Sequence, residues 1–453
     1  MSAAASGSTV RSRAPESPGN PAAAERKTSL TGTVLKAEIR GGIAPWTFAV
    51  CLLSLLVAVF GGRYSLMDWP GMAQASRGLL VVLGPLLAGA ACWQAGRERR
   101  RRTHELVQSA PLSALRRVAC ALLPVWLAAV AAHLVTWGVL FALTSPSASA
   151  YGHPLVFPLL ADLTATAAFA SAGHLIGWYL PSSWALTPGT AAGTYGVLWL
   201  GEVRGGSALG QLSPASFELH SGRMLVPWAS AAHSAWFGGL AAAMLLTVAA
   251  RRKWLVALPL AVAVAGAVPL VAWPEKMWLP DRGASALVCR GERPEICLRQ
   301  AHESRRDTVE GPIRWAYGLF EGAPTAPVRF EEGRLAAGQS WGAVLDPGSD
   351  PAISHFTLVN PGDLGSDKRL GYFQRDAVLQ DLTMWECERN VPSWAHEVLF
   401  WAHGQWPGDM EDHWRDDPVV KALEAMTAAE RRAWFTDYFA AARTCDRERV
   451  NQP

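Results

Sequence analysis

The sequence predicts a mainly α protein: a polytopic membrane helix bundle of about seven transmembrane helices over residues 44–273, then a soluble C-terminal domain, α+β or mainly helical, over residues 274–453. Three observations carry this reading. Long apolar runs with almost no charge fill the first two thirds of the 453-residue chain. Charge then divides it, because residues 1–274 hold 20 Lys and Arg against 9 Asp and Glu, whereas residues 275–453 hold 21 against 29. Cysteine usage changes at the same boundary, with Cys51, Cys92 and Cys120 in or beside apolar runs and Cys289, Cys297, Cys387 and Cys445 in the polar tail. Only six Lys stand among the basic residues, and Ala, Gly and Pro are abundant, the codon bias expected of a GC-rich bacterial genome.

Residues 1–43 are rich in Ser, Ala, Gly and Pro and lack apolar periodicity, so they are expected to form a disordered cytoplasmic tail. The first apolar run begins near Ala44 and is followed by no small-residue cleavage site, so it is expected to stay as a span rather than be removed as a signal.

A bilayer core needs roughly 20 mostly apolar residues per helix, since backbone groups left unpaired in lipid are costly. Seven stretches approach that length: 44–61, 78–95, 118–143, 155–180, 184–201, 226–250 and 254–273. Only Pro181, Ser182 and Ser183 separate the fourth from the fifth, which implies a tight hairpin there. Short-loop charge sets the orientation, because Lys and Arg stay on the cytoplasmic side. The loop RERRRRTHELVQSAPLSALRR holds seven Arg, and Arg251, Arg252 and Lys253 follow the sixth span. Both belong inside. TSPSASAYGHP, after the third span, carries no formal charge and belongs outside. With the N-terminus in the cytoplasm, an odd number of spans puts the C-terminal domain outside the cell membrane. Trp46, Trp184, Trp254 and Trp273 flank spans, where an amphipathic ring suits the headgroup layer.

Polar groups within the spans are few: Asp162, His133, His174 and His233, with Gln94 near an edge. An ionisable group in a membrane raises the question of a proton path. Neutral, hydrogen-bonded histidines explain the pattern better, because no second acidic residue lies in any span to pass a proton on.

The loop between the second and third spans is the most informative segment. An Arg cluster, Arg99, Arg100, Arg101 and Arg102, leads into THELVQSA, and Pro111 restricts Ala110 and so ends the short helix. An amphipathic elbow at the membrane surface follows, with Leu106 and Leu112 on one side and Arg on the other. Alone, this is a positive-inside anchor touching anionic membrane lipid. Glu105-Leu106, then Ser109-Ala110-Pro111-Leu112-Ser113, then Arg116-Arg117 resembles the corresponding loop in permease subunits of type-two ATP-binding-cassette transporters. The resemblance implies that Arg99 to Ser113 is a coupling element that docks on a separate cytoplasmic ATPase subunit, and that the chain works as a homodimer or beside a second permease subunit. It extends over about residues 44–250, including the small-residue pair Gly173 and Gly177, which is similar to a glycine-rich fourth span. The seventh span and the C-terminal domain lie outside the six-span plan of that family.

No GxxxxGK[ST] loop and no Gly-rich nucleotide fingerprint occurs in the chain, so any ATP hydrolysis is expected on a partner. The four tail cysteines suit an oxidising compartment and allow three pairings; Cys289 with Cys297 and Cys387 with Cys445 is the favoured one. RQAHESRRDTVEGPIRWAYGLFEG reads as an amphipathic helix closed by glycine, PVRFEE and HFTLVN as strands, and SWAHEVLFWAHGQW and AAERRAWFTDYFAAARTC as helices. The run from VCRGERPEICL to APTAPVRF resembles an uncharacterised domain found behind permease-like spans in GC-rich bacteria. His396, Glu397 and His403 miss the HExxH spacing of a zinc site, and no GxSxG elbow occurs. No catalytic residue, metal, cofactor or nucleic-acid partner is expected. Two functions follow: a permease-like subunit coupled to an ATPase, or a membrane-anchored extracytoplasmic recognition or regulatory protein without transport activity.

Overall fold

The computed structural model of the chain describes residues 39, 42–61, 66, 68–101, 113–148, 150–180, 185–203, 208–215, 223–333, 353–356, 358, 367–383, 392–405 and 416–453. Among the described residues, six helices are long and apolar enough to cross a membrane: Ala44–Gly61, Trp69–Ala95, Ala114–Ala148, Val156–Tyr179, Pro227–Ala249 and Lys253–Ala272. The first is α1 (Ala44–Gly61), apolar on every face, as suits a helix in an apolar medium.

The second of these helices begins nine residues before the apolar run at 78–95. Asp68, in an extended conformation, accepts a 2.7 Å hydrogen bond from the Gly71 amide, and proline stands in the first turn. These signals start α2 (Trp69–Gly78), which continues through Leu79 into α3 (Leu80–Ala95). A four-residue turn, α4 (Arg97–Arg100), closes this arm. The third of these helices, α5 (Ala114–Ala148), has 35 residues and is about 52 Å long, well beyond the thickness of a hydrocarbon core of about 30 Å.

α6 (Val156–Tyr179) packs on α3 through the expected small-residue pair, where a Cβ at Gly173 or Gly177 would overlap the carbonyl of Ala88 or Cys92. The stretch expected as the fifth span is an 18-residue helix, α7 (Leu186–Val203), but its Thr, Gly and Tyr content and Glu202 leave it outside the apolar set. The expected seven therefore become six among the described residues, by length and apolarity. α7 nevertheless runs along α3, with Thr190 Oγ1 3.5 Å from Cys92 Sγ, and at its far end Gly201 abuts Ser213. α8 (Pro227–Ala249) and α9 (Ala257–Ala272) close on each other through Gly239 and Gly266, where a Cβ would lie 2.6 Å from backbone atoms of the other helix.

The connections sort to two ends. At one, β1 (Arg223–Leu225) pairs antiparallel with β2 (Trp278–Pro280), and Tyr151 donates a 2.9 Å hydrogen bond to Asp281. The chain passes there into the C-terminal unit. At the other, Tyr179 donates to the Thr247 carbonyl over 3.0 Å, and Arg99 reaches the last carbonyls of α6.

The C-terminal unit has its own core. A four-stranded sheet, in the order β3 (Leu287–Arg290), β4 (Glu295–Arg299), β5 (Arg329–Glu332) and β6 (Ile353–Phe356), is antiparallel at its first pair and parallel at the other two. Around it lie α10 (Arg306–Leu319), α11 (Asp367–Thr383), α12 (Ala395–Gly404), α13 (Pro418–Ala425) and α14 (Ala428–Thr444). Phe320 meets Phe435 and Phe439 edge-on at 4.7 and 5.2 Å, and Trp401 leans on Phe435 at 5.2 Å. Cys289 and Cys297 are directly opposed on β3 and β4 and form a disulfide. Cys445 is disulfide-bonded too, and Cys387 lies outside the described residues.

Candidate functional site

Three polar clusters stand out against the apolar bundle. The first is the basic end, where α3 runs into α4. Arg99 donates through Nη1 to the Leu180 carbonyl at 2.8 Å and through Nη2 to the Trp178 carbonyl, which satisfies orphan carbonyls at the C-terminus of α6. Arg100 lies 3.7 Å over the Trp93 ring and donates to the Trp93 carbonyl at 2.6 Å. Partial burial lowers the pKa of Arg100; Cys92 opposes this, and repulsion from Arg101 and Arg97 adds to it. A cavity of about 170 Å³ opens between α1 and this joint, lined by Gly42, Ile43, Trp93, Arg97, Arg100 and Arg101. Ser113 accepts a 3.4 Å bond from the Arg116 amide where α5 begins. Of the expected coupling residues, Arg99, Arg100, Arg101 and Ser113 are thus placed at one end of the bundle. Arg102, Glu105, Leu106 and Pro111 lie outside the described residues.

The second cluster is buried inside the bundle toward the opposite end. Asp162 on α6 accepts from Ser76 Oγ at 3.0 Å, and its other oxygen lies 3.5 Å from Arg77 Nε. His133 on α5 approaches the same carboxylate at 3.7 Å and Ser76 at 3.4 Å. Arg77 also donates to the Pro214 carbonyl at 3.1 Å. His233 on α8 sits between the carbonyls of Ala229 and Gln211 at 2.9 and 3.0 Å, and Trp236 donates to Leu212 at 3.1 Å. Arg77, Asp162, His133 and His233 are all buried. The cluster neutralises the one carboxylate expected within the spans and pins segment 210–214 across α2, α6 and α8. His174 and Gln94 stay apart from it, around a second cavity with Arg117 and Trp178 that has about 10 Å³ of free space, roughly one water.

Sequence reasoning missed Arg77. Its signal was legible: DWPG carries the cap and proline of a helix start, so the arginine lies inside the span rather than before it.

The third cluster joins the bundle to the C-terminal unit. Asp68, besides capping α2, lies 4.0 Å from His302 Nε2, while His302 Nδ1 is 2.5 Å from Glu332 on β5. The other Glu332 oxygen accepts from the Arg299 amide at 2.9 Å. Burial by itself lowers the pKa of His302, but Glu332, helped by Asp68, outweighs it and leaves the pKa above the ordinary value. One step away, Arg305 donates to Ser147 Oγ at 3.2 Å, and Ser304 donates to the Ser147 carbonyl. The overhanging last turn of α5 thus bears on segment 300–305.

Of the expected non-site at His396, Glu397 and His403, His403 pairs with Asp376 at 2.7 Å and His396 is exposed. Among the described residues, Cys289, Glu295 and Cys297 come within 4.8 Å of one another as metal ligands would, but both thiols are consumed in the disulfide. No family model, curated protein or solved structure matches the chain.

Proposed function

We propose that the chain is a multi-pass membrane protein with its basic end in the cytoplasm, acting as a permease-like subunit of an ATP-binding-cassette transporter. The observation that carries this reading is Arg99, which ties the root of the elbow to the last carbonyls of α6. A force applied to the elbow by an ATPase partner then reaches α6, the helix in backbone contact with α3 and bearing Asp162. The orientation rests on the gathering of Arg97, Arg99, Arg100, Arg101 and Lys253 at the end opposite the C-terminal unit, the distribution that retains basic loops in the cytoplasm. Energy comes from a separate cytoplasmic ATPase, and a homodimer or a second permease subunit completes the pathway.

The test is co-purification of the candidate ATPase with wild type and with Arg100→Glu, Glu105→Ala and Leu106→Asp. Loss of the ATPase from at least one variant that still elutes as a folded species is expected. Retention by all three ends the coupling assignment.

The second reading, a membrane-anchored recognition or regulatory protein, draws on the tight α3–α6 packing at Gly173 and Gly177 and on the contacts that hold the C-terminal unit to the bundle. It is favoured if no ATPase is retained by the wild type. Thiol labelling before and after reduction fixes the orientation: tail cysteines that react only from the cytoplasmic side reverse it.

A further inference from the structure

The cavity at the basic end has two kinds of wall. Arg97, Arg100 and Arg101 supply three guanidinium groups from little more than one helical turn, and no carboxylate stands among the described lining residues. Trp93 and Ile43 supply the apolar side. Three like charges gathered at one mouth repel one another, and an anion placed among them relieves that repulsion while accepting paired N–H bonds.

The apolar side does not stop at the cavity. Ile43 immediately precedes α1, and its carbonyl accepts the Thr47 amide at 2.8 Å, so it enters in step with Trp46, Val50, Leu53, Val57 and Phe60, which are spaced by three and four residues and share one face of α1. From Trp46 onward this face is open, with exposures of 75%, 48%, 66%, 64% and 70%. A hydrocarbon track about 25 Å long therefore leads away from the guanidinium cluster along a single helix. A cationic pocket continuous with an apolar track matches the two parts of one amphiphile. The cavity at Gln94, Arg117 and His174 has room for no more than a water and cannot serve the same purpose.

We propose that this is a binding site for an anionic phospholipid, its phosphate held by Arg97, Arg100 and Arg101 beside Trp93 and one acyl chain lying along the Ile43 to Phe60 face of α1. The site needs a chain embedded in a bilayer and is independent of whether an ATPase couples to the elbow. A free anion would use the guanidinium groups alone, so the track separates the two sources.

The full chain is purified in detergent and examined by native mass spectrometry with phosphatidylglycerol, phosphatidylcholine or inorganic phosphate added. Phosphatidylglycerol is expected to remain as a one-to-one adduct with roughly tenfold preference over phosphatidylcholine. Arg100→Gln and Arg101→Gln are each expected to weaken that preference about fivefold, and Leu53→Asn to weaken lipid retention without affecting phosphate. Arg101 is the safer variant, since its guanidinium makes none of the contacts described for Arg99 and Arg100. The triple variant Arg251→Gln, Arg252→Gln, Lys253→Gln removes three charges from the same end, more than either single variant, and is expected to bind as wild type does. Equal retention of the two lipids, equal loss in the triple variant, or displacement of phosphatidylglycerol by millimolar phosphate overturns the proposal.

Discussion

Arg77 Nε lies 3.5 Å from Asp162 Oδ1, and the two side chains are 0% and 1% exposed. A pair so enclosed is costly to break and much less costly to replace, because removing one partner strands the other charge. Arg77→Met or Asp162→Leu alone is therefore expected to cost roughly 3–5 kcal/mol, whereas the double variant recovers most of the loss. Thermal unfolding in detergent, followed by the surviving folded peak on size exclusion, measures both. A double variant as unstable as the worse single one would show that the ion pair is not the source of the effect.

Gly173 gives a sharper steric expectation. A side chain there collides with the Ala88 carbonyl, a backbone atom that cannot rotate away, so Gly173→Ala is expected to cost at least about 1–3 kcal/mol and Gly173→Leu to prevent assembly. Gly138 on α5 has nothing within 4 Å of an added Cβ, so Gly138→Ala is the matched control and is expected to be neutral or slightly stabilising. Folded yield of the three variants side by side decides the matter.

His302 makes the junction pH-sensitive in a defined direction. Its pKa is raised on folding because Glu332 and Asp68 outweigh burial, so its contribution is fully present below the unfolded value of about 6.5 and is lost as pH rises through the higher folded value. Melting temperature measured from about pH 6 to 9 is expected to fall on the alkaline side, with His302→Gln less stable at pH 6 and flatter above it. Identical slopes in wild type and variant would remove His302 from the account.

Local chemistry was legible in the sequence, and tertiary partnership was not. Apolar length located six of the long apolar helices, small-residue spacing at Gly173 and Gly177 located a close helix contact, and eight-residue spacing located the Cys289–Cys297 bridge. The second long apolar helix starts nine residues before its apolar run because capping, not apolarity, sets a helix start: Asp68 and the proline after Trp69 begin it, and its first turns are polar. Arg77 was lost with those turns. The stretch 184–201 read as apolar because it lacks charge until Glu202, although its Gly and Thr make it only moderately so. Nothing local links Ser147 to Arg305 or Asp68 to His302, since each pair meets only after the C-terminal unit docks.

α5 is a lever. It is a single helix from Ala114, beside the basic residues Arg116 and Arg117, to Ala148, beneath segment 300–305. Over a rod of about 52 Å, each degree of tilt at one end displaces the other by about 0.9 Å. Three or four degrees at the basic end would shift Ser147 by about the length of its hydrogen bond to Arg305, so a tilt of that size at either end parts the contact at the other.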